Sequence, residues 1–293
     1  MTLPPLPSLE RRHLRVESAD VPGFGALEAL VPVDAPYLCA DSNAPAMLLV
    51  PGLGLDGSGL IRQLPLGALT HLHLFQMPNL PAASENGLGR FARHVEEYIL
   101  AKKLDQRPGG LVLGGNSMGG AVSILVASRG RVKLRSLVLI GTYGSCKRLP
   151  FFQRAMAPLA YVIPMAMIRR VVWRTKGKTG IDKTTPDEAR WITSPLIRRT
   201  LGYYGRAVNS LTTMELLDGA RTISAPTLVV HGSHDPVLPL AAGKELAATI
   251  PNASLTQIDG ARHSLFFSHA DSVNSAIAGF LRGLNPSNAA ATR

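Results

Sequence analysis

Three short segments carry side chains that could together perform nucleophilic chemistry. Ser117 is the centre of Gly-Asn-Ser-Met-Gly, which fits the pattern G-x-S-x-G, Asp235 lies in His-Gly-Ser-His-Asp-Pro, and His263 lies in Asp-Gly-Ala-Arg-His-Ser. A serine hydroxyl is a weak nucleophile at neutral pH unless a neighbouring base takes its proton. Imidazole can be that base, and a carboxylate can orient it and stabilise its charged form. Each segment alone could be an ordinary turn, but together they predict a serine nucleophile with its own base and acid.

Each of these segments follows an apolar run bounded by turn residues, which is typical of a strand buried on both faces of a parallel sheet. Such runs predict strands over residues 46–50, 71–77, 110–113, 137–140, 227–230 and 254–258. Helices are expected over residues 88–103, 119–128, 240–249 and 272–284. The alternation implies an open parallel α/β sheet, and residues 14–33 are expected to add one or two antiparallel strands.

The glycines around Ser117 have a mechanical reason. A sharp turn from strand to helix strains the serine backbone and brings neighbouring backbone too close for a Cβ atom. The turn exposes the hydroxyl, and the N-terminus of the following helix favours developing negative charge.

The chain order Ser117, Asp235, His263, with gaps of 118 and 28 residues, resembles the α/β-hydrolase family over roughly residues 14–284. The resemblance implies a mostly parallel central sheet flanked by helices, with an inserted helical cap. It also implies covalent acyl transfer by Ser117, with His263 as base and Asp235 as the orienting acid. The backbone N–H groups of Leu53 and Met118 would then hold the oxyanion, and no metal or cofactor is required.

Residues 145–218, called the cap segment below, break the strand–helix rhythm. We therefore expect a hydrolase core of residues 1–144 and 219–293 and a helical cap between two strands. Ser194-Pro195 is a typical helix start. An apolar stripe at helical spacing follows it, consisting of Ile197, Leu201, Tyr204, Val208, Leu211 and Met214.

The cap segment is both basic and apolar. Residues 146–206 carry thirteen basic and three acidic side chains, and so +10 of the net charge of +11. Its apolar surplus predicts an acyl-chain pocket lined by Met156, Leu159, Ile163 and Met167. The charge is interpreted first as keeping an apolar cap soluble, and the alternatives are peripheral contact with anionic membrane and attraction of an anionic acyl-CoA thioester. No nucleic-acid-binding motif accompanies it.

Other polar residues near these segments are interpreted as non-catalytic. His231 and His234 flank the acid and are interpreted as supporting or solvated side chains. Asp259 is interpreted as a turn former, and Asp56 and Ser58 as residues of the loop that contains Leu53.

The favoured function is hydrolysis of carboxylic esters with an apolar acyl part, an esterase or lipase-like activity. The run Gly-Asn-Ser-Met-Gly-Gly also resembles the carbon–carbon bond hydrolases of aromatic ring-fission products, which hold a substrate carboxylate with basic cap residues; Arg190 and Arg198 are candidates. An acyl-CoA thioesterase is a further alternative. A ligand-binding relative of the fold is the non-enzyme alternative, but such relatives commonly lose a triad member, and this chain has all three.

Composition limits the remaining possibilities. The chain has 293 residues, 46% of them hydrophobic and 17% charged, which excludes a disordered chain. Cys39 and Cys146 cannot form a disulfide framework, although a single bridge stays open. The first fifteen residues lack the apolar run of a signal peptide, and no stretch has the length of a membrane span. A cytoplasmic enzyme acting on a small-molecule ester is therefore expected.

Overall fold

A computed structural model describes residues 2–78, 87–149, 170, 174, 185–193 and 201–284. The strands are Leu14–Val21 (β1), Gly25–Pro32 (β2), Ala46–Val50 (β3), His71–Phe75 (β4), Leu111–Asn116 (β5), Ser136–Ile140 (β6), Thr227–Gly232 (β7) and Ala253–Ile258 (β8). The α-helices are Gly87–Ala101 (α1), Met118–Arg129 (α2), Pro186–Thr193 (α3), Leu201–Thr213 (α4), Leu217–Arg221 (α5), Leu240–Thr249 (α6), Leu265–Ser268 (α7) and Ala270–Gly283 (α8). Short 3-10 helices span Arg11–His13, Ala35–Tyr37, Gly57–Ala68, Leu104–Gln106 and Cys146–Arg148.

The described strands form one sheet in the order β1-β2-β4-β3-β5-β6-β7-β8. β1 pairs with β2 and β2 with β4 in antiparallel fashion, and every other pairing is parallel. This confirms the predicted mostly parallel sheet and the leading antiparallel strands. Some observed elements end a few residues before the predicted bounds: β4 ends at Phe75 and α1 at Ala101.

The central strands are buried on both faces, as their continuous apolar sequences predict. Along β3, Leu48 and Val50 pack in one cluster with residues of α1 and α2, whereas Met47 and Leu49 pack in a second with residues of α7 and α8. Because side chains alternate along a strand, both helical layers are needed to cover the sheet. The described parts of the chain thus form helices on both faces of a single sheet.

The carboxyl ends of the parallel strands are aligned by their register. Val50 of β3 lies opposite Gly115 of β5, Asn116 opposite Ile140 of β6, and Ile140 opposite Val230 of β7. The loops after these strands therefore meet at one edge of the sheet, where open α/β folds bind their ligands.

The ends of the cap segment come together at the sheet. Ser145 and Glu215 form an isolated antiparallel bridge, and the Leu216 amide donates to the Gly144 carbonyl at 2.7 Å. The cap segment therefore leaves and re-enters the fold at neighbouring points. Its predicted domain bounds stay a prediction, since much of it lies outside the described residues.

The buried face of α4 differs from the predicted stripe. Tyr203, Ala207 and Ser210 are almost fully buried together with Tyr204, whereas Val208, Leu211 and Met214 are half-buried. The described part of the predicted stripe does face inward, since Tyr204 is buried and Leu211 and Met214 pack against the core, but the most buried line, Tyr203, Ala207 and Ser210, lies beside it. Ile197 lies outside the described residues.

Two further expectations can be compared with the described residues. Cys39 and Cys146 are free thiols, so the single bridge left open does not form. In the described part of the chain, no helix combines the length and apolarity needed to cross a bilayer.

A buried histidine lies in the core between β4 and α1. His73 is 7% exposed, and the Tyr98 hydroxyl donates to its Nδ1 at 3.0 Å. Burial lowers the pKa of His73 to about 4, despite the opposing effect of Glu17. The imidazole is therefore neutral in the folded protein, while in the unfolded chain it binds a proton at higher pH.

This difference predicts acid sensitivity of the fold. Between the unfolded pKa of 6.5 and about 4, the unfolded chain binds more protons, so His73 stabilises the fold above pH 6.5 and loses that contribution as pH falls. At pH 5 the loss is about 2 kcal/mol. Compared with the wild-type protein by urea unfolding, His73→Gln should be the less stable at pH 7.5, and the gap should shrink by about that amount at pH 5. A gap that is the same at both pH values would contradict this.

Candidate active site

Ser117 lies in a strained turn between β5 and α2. Its φ of 53° and ψ of −118° place a residue with a side chain in a backbone region that glycine favours, a conformation that costs roughly 1–3 kcal/mol. Two hydrogen bonds hold it there. The Ser117 amide donates to the Ile140 carbonyl at 2.9 Å, and the Thr142 hydroxyl donates to the Ser117 carbonyl at 2.8 Å.

The predicted close approach of backbone around the turn is present. A Cβ atom at Gly119 would lie 2.0 Å from the carbonyl oxygen of Val50, and one at Gly115 would lie 2.2 Å from that of Gly119. Both neighbours are backbone atoms and cannot rotate away. The glycines thus allow α2 to start directly against the end of β3.

Asp235 lies in the loop after β7 with a fully buried side chain. Its Oδ1 accepts from the amides of Val237 and Leu238 at 2.8 and 2.9 Å, and its Oδ2 lies 2.8 Å from His263 Nδ1. Burial by itself would raise the pKa of this carboxyl group, but the His263 charge and these hydrogen bonds outweigh burial and hold the pKa below its ordinary value. Asp235 is therefore a carboxylate at neutral pH.

His263 connects this carboxylate to the serine. It lies between β8 and α7, 14% of its side chain is exposed, and its Nε2 lies 3.0 Å from Ser117 Oγ. Because the carboxylate can only accept, Nδ1 donates to Asp235 and the Nε2 lone pair faces the serine O–H. The three residues that the sequence singled out thus form one hydrogen-bonded chain, with geometry suited to removing the serine proton.

The loop after β3, residues 51–56, lies directly beside the serine; we call it the β3 loop. A Cβ atom at Gly52 would lie 3.4 Å from Ser117 Cβ and 2.7 Å from Asn116 Oδ1. Among the described residues, no acceptor engages the amides of Leu53 and Met118. Two unengaged N–H donors therefore flank the serine.

The other polar residues considered in the sequence lie outside the hydrogen-bonded chain. Asp56 accepts from the amide and hydroxyl of Ser58 and caps the 3-10 helix Gly57–Ala68, as its loop role predicts. Asp259 is exposed and accepts from Gln257, consistent with a turn. His234 is exposed beside Ser233.

His231 is fully buried, so of the two roles considered for it the solvated one is wrong. Burial lowers its pKa, and its Nε2 donates to the Leu238 carbonyl at 2.8 Å and lies 3.7 Å from Asp235 Oδ2. Since Leu238 also donates its amide to Asp235, the histidine braces the loop that carries the acid.

Two residues near the site were missed in the sequence. Asn116 is 2% exposed, and its side-chain amide has no hydrogen-bond partner among the described residues. Its position directly before Ser117 in the sequence was the signal that could have identified it. Tyr203 is 1% exposed and its hydroxyl accepts from the Gly54 amide at 3.3 Å; no local signal indicated this, because the two residues are 149 positions apart.

The predicted acyl pocket lies outside the described residues, as does Arg198: Met156, Leu159, Ile163 and Met167 all belong to the part of the cap segment that is not described. Arg190 is described. Its side chain is 78% exposed and lies 3.8 Å from Asp187.

The sheet, the turn at Ser117 and the hydrogen-bonded chain together define an α/β-hydrolase, an enzyme of the hydrolase class. The sequence profile of the family described as serine aminopeptidase, S33, matches residues 85–269, so the chain belongs to this family. The family assignment confirms the resemblance that the spacing of Ser117, Asp235 and His263 indicated.

Two curated relatives align with most of this chain. A pimeloyl-[acyl-carrier protein] methyl ester esterase of Aromatoleum aromaticum is 27% identical over 82% of this chain and 100% of its own length. A 2-hydroxymuconate semialdehyde hydrolase of Pseudomonas putida is 26% identical over 69% of this chain and 71% of its own.

Solved structures share the fold. An esterase from Rhodococcus sp. superposes with a TM-score of 0.74 at 18% identity, over 93% of this chain and all of that one. An enol-lactonase from Burkholderia xenovorans gives 0.73 at 21% identity, over 91% of this chain and all of that one. At these identities the likeness concerns the fold alone.

The packing at Gly119 predicts opposite effects for the same substitution at two helical glycines. Gly119→Ala should destabilise the protein by about 3 kcal/mol, because its Cβ meets the Val50 carbonyl. Gly279→Ala is the matched control at an exposed position of α8, where nothing lies within 4 Å of the added atom; it should stabilise by about 0.5–1 kcal/mol. Urea unfolding measures both, and a neutral or stabilising Gly119→Ala would refute the close packing.

Proposed function

We propose that this protein is a serine hydrolase that cleaves carboxylic esters with an apolar acyl part, using Ser117, His263 and Asp235 as its catalytic triad. The observation that carries the proposal is the continuous chain of hydrogen bonds from Asp235 through His263 to Ser117, at 2.8 and 3.0 Å. A buried carboxylate, an oriented imidazole and a strained serine are the parts that acyl transfer needs.

Acylation follows from the direction of these hydrogen bonds. Ser117 Oγ attacks the ester carbonyl carbon while its proton passes to His263 Nε2, and Asp235 stabilises the resulting imidazolium. The tetrahedral intermediate collapses, the ester C–O bond breaks, and His263 returns the proton to the departing alcohol. An acyl-Ser117 ester remains.

Deacylation repeats the sequence with water. His263 takes a proton from a water molecule, whose oxygen attacks the acyl carbon, and then returns the proton to Ser117 Oγ as the carboxylic acid leaves. The oxygen of each tetrahedral intermediate carries negative charge, which calls for nearby donors.

The amides of Leu53 and Met118 are the proposed donors. Both are unengaged among the described residues, and Met118 is the first residue of α2, where the helix terminus favours an anion. Gly52 brings the backbone of the β3 loop against the Ser117 side chain. One such donor typically contributes about 3 kcal/mol to lowering the barrier.

Ester hydrolysis is the first candidate because the relative that aligns with more of this chain is an esterase. The methyl ester esterase of Aromatoleum aromaticum covers more of the chain than the hydrolase of Pseudomonas putida. Carbon–carbon bond cleavage remains the second candidate because of that second relative, but Arg190, a proposed carboxylate ligand, is exposed beside Asp187. Thioester cleavage would use the same triad.

Alanine at each triad position should abolish ester turnover while preserving the fold. Ser117→Ala and His263→Ala should lower kcat/KM for p-nitrophenyl butyrate by about 10⁴-fold or more. Asp235→Ala should lose less than His263→Ala, because Asp235 acts on the reaction only through the imidazole that it orients and stabilises. Fluorophosphonate labelling followed by mass spectrometry should identify Ser117 as the modified residue in the wild-type protein.

The matched control is Ser123→Ala, a buried serine on α2 whose hydroxyl donates only to the Gly119 carbonyl. It should retain most of the activity. Near-wild-type turnover by His263→Ala, or labelling of another serine, would refute the triad.

The apolar surplus of the cap segment predicts a preference for medium acyl chains. Esters of about four to ten carbons should exceed acetate in kcat/KM, because each buried methylene contributes about 0.8 kcal/mol. A p-nitrophenyl ester series from two to sixteen carbons measures this, and strict preference for acetate would contradict it.

Two further substrates distinguish the reaction class. A coloured dienoate ring-fission product tests carbon–carbon cleavage, and an aminoacyl p-nitroanilide tests peptidase activity. If the protein turns over either of these substrates and hydrolyses no ester, the ester proposal is overturned.

A further inference from the structure

The cap segment contacts the β3 loop and the 3-10 helix after it at three successive places. The Gly54 amide donates to the Tyr203 hydroxyl of α4 at 3.3 Å. Trp191 of α3 donates its indole N–H to the Ser58 carbonyl at 2.8 Å. Glu188, also on α3, forms an ion pair with Arg62. Helices α3 and α4 of the cap segment thus contact the chain between Gly54 and Arg62, which follows directly on the part of the β3 loop that lies beside Ser117.

Tyr203 is itself rigidly held. It is 1% exposed, and its ring meets those of Phe91 on α1 and Tyr204 edge-on, each at 5.5 Å between centroids. A buried aromatic ring packed on two sides has few alternative positions. Its hydroxyl is therefore a fixed point against which the Gly54 amide is placed.

The geometry of the β3 loop shows why this contact matters. In a trans peptide, C=O and N–H point in opposite directions. The Gly52 carbonyl accepts from the Leu55 amide at 3.1 Å, so the Leu53 N–H of the same peptide points away from the turn. The next peptide, Leu53–Gly54, is fixed by Tyr203, and Gly54 has a φ of 77° that allows the turn.

We propose that Tyr203 is a positioning residue, whose hydroxyl fixes the β3 loop so that the Leu53 amide stays aimed at the oxyanion beside Ser117. This inference rests on the proposed function. It makes the cap segment a support of the oxyanion site as well as a cover for substrate. Tyr203 touches neither substrate nor the reacting atoms; it acts through the Leu53–Gly54 peptide.

Removing the hydroxyl should affect the transition state more than substrate binding. In Tyr203→Phe the ring packing remains, but the Gly54 amide loses its acceptor and the two peptides of the turn gain freedom to rotate. A misdirected Leu53 N–H weakens only the interaction that forms with the charged intermediate. We therefore expect kcat for p-nitrophenyl butyrate to fall about tenfold with KM changed less than twofold.

A tetrahedral-intermediate mimic gives an independent readout. An alkyl trifluoromethyl ketone adds to a catalytic serine and places an oxyanion in the same position, so its inhibition constant should weaken by the same factor as kcat. The rate at which fluorophosphonate labels Ser117 should fall likewise, since negative charge also develops on the phosphonyl oxygen. This last measurement needs no ester turnover.

Tyr98→Phe is the matched control. It removes another buried tyrosine hydroxyl, which donates to His73 at 3.0 Å in the core away from Ser117. It should cost similar stability but leave kcat, the inhibition constant and the labelling rate unchanged.

The outcomes separate this inference from the function on which it rests. Unchanged kcat and labelling rate in Tyr203→Phe, a rise in KM alone, or an equal loss in Tyr98→Phe would overturn the role of Tyr203. If the protein hydrolyses no ester but the fluorophosphonate still labels Ser117, only the ester proposal is overturned. Slower labelling of Tyr203→Phe would in that case still support the positioning role. No labelling of the wild-type protein would overturn the triad and this inference together.

Discussion

The contact between the Gly119 backbone and the carbonyl oxygen of Val50 fixes the geometry on which the site depends. It sets α2 against the end of β3, because a Cβ atom at position 119 would lie 2.0 Å from that oxygen and only glycine therefore fits there. Ser117, two residues earlier, has a positive φ, and hydrogen bonds with Ile140 and Thr142 of the neighbouring strand and loop hold it in that conformation. The same packing brings Gly52 beside Ser117. The backbone strain at Ser117 is thus offset by hydrogen bonds and packing within the sheet and its loops.

Asp235 stays ionised although it is buried, because hydrogen bonds offset the cost of burying its charge. Taking a carboxylate fully out of water costs several kcal/mol, and Asp235 is fully buried. The amides of Val237 and Leu238 and the His263 ring together give each of its oxygens at least one hydrogen bond. His231 braces the same loop through the Leu238 carbonyl. Because every contact lies at the carboxyl ends of β7 and β8, the register of the sheet places this carboxylate where His263 can bridge it to Ser117.

The cap segment and the core are coupled at the β3 loop. The bridge between Ser145 and Glu215 closes the cap segment at its base, and its helices reach across to Gly54, Ser58 and Arg62. If the Leu53 amide is an oxyanion donor, as proposed, a substitution that moves α4 would also move this donor through Gly54. This coupling offers one physical reason why substrate range and catalytic rate would change together in this protein.

The sequence by itself determined the sheet, its order of strand and helix, and the three residues of the hydrogen-bonded chain. These follow from local patterns, since apolar runs end in turns that carry Ser117, Asp235 and His263, and glycines mark the sharp turn. Tertiary structure decided the contacts between distant segments. Tyr203 meets Gly54 across 149 residues, and the most buried line of α4 lies beside the predicted stripe. Helical periodicity can indicate that a face is buried, but it contains no information about which partner buries it.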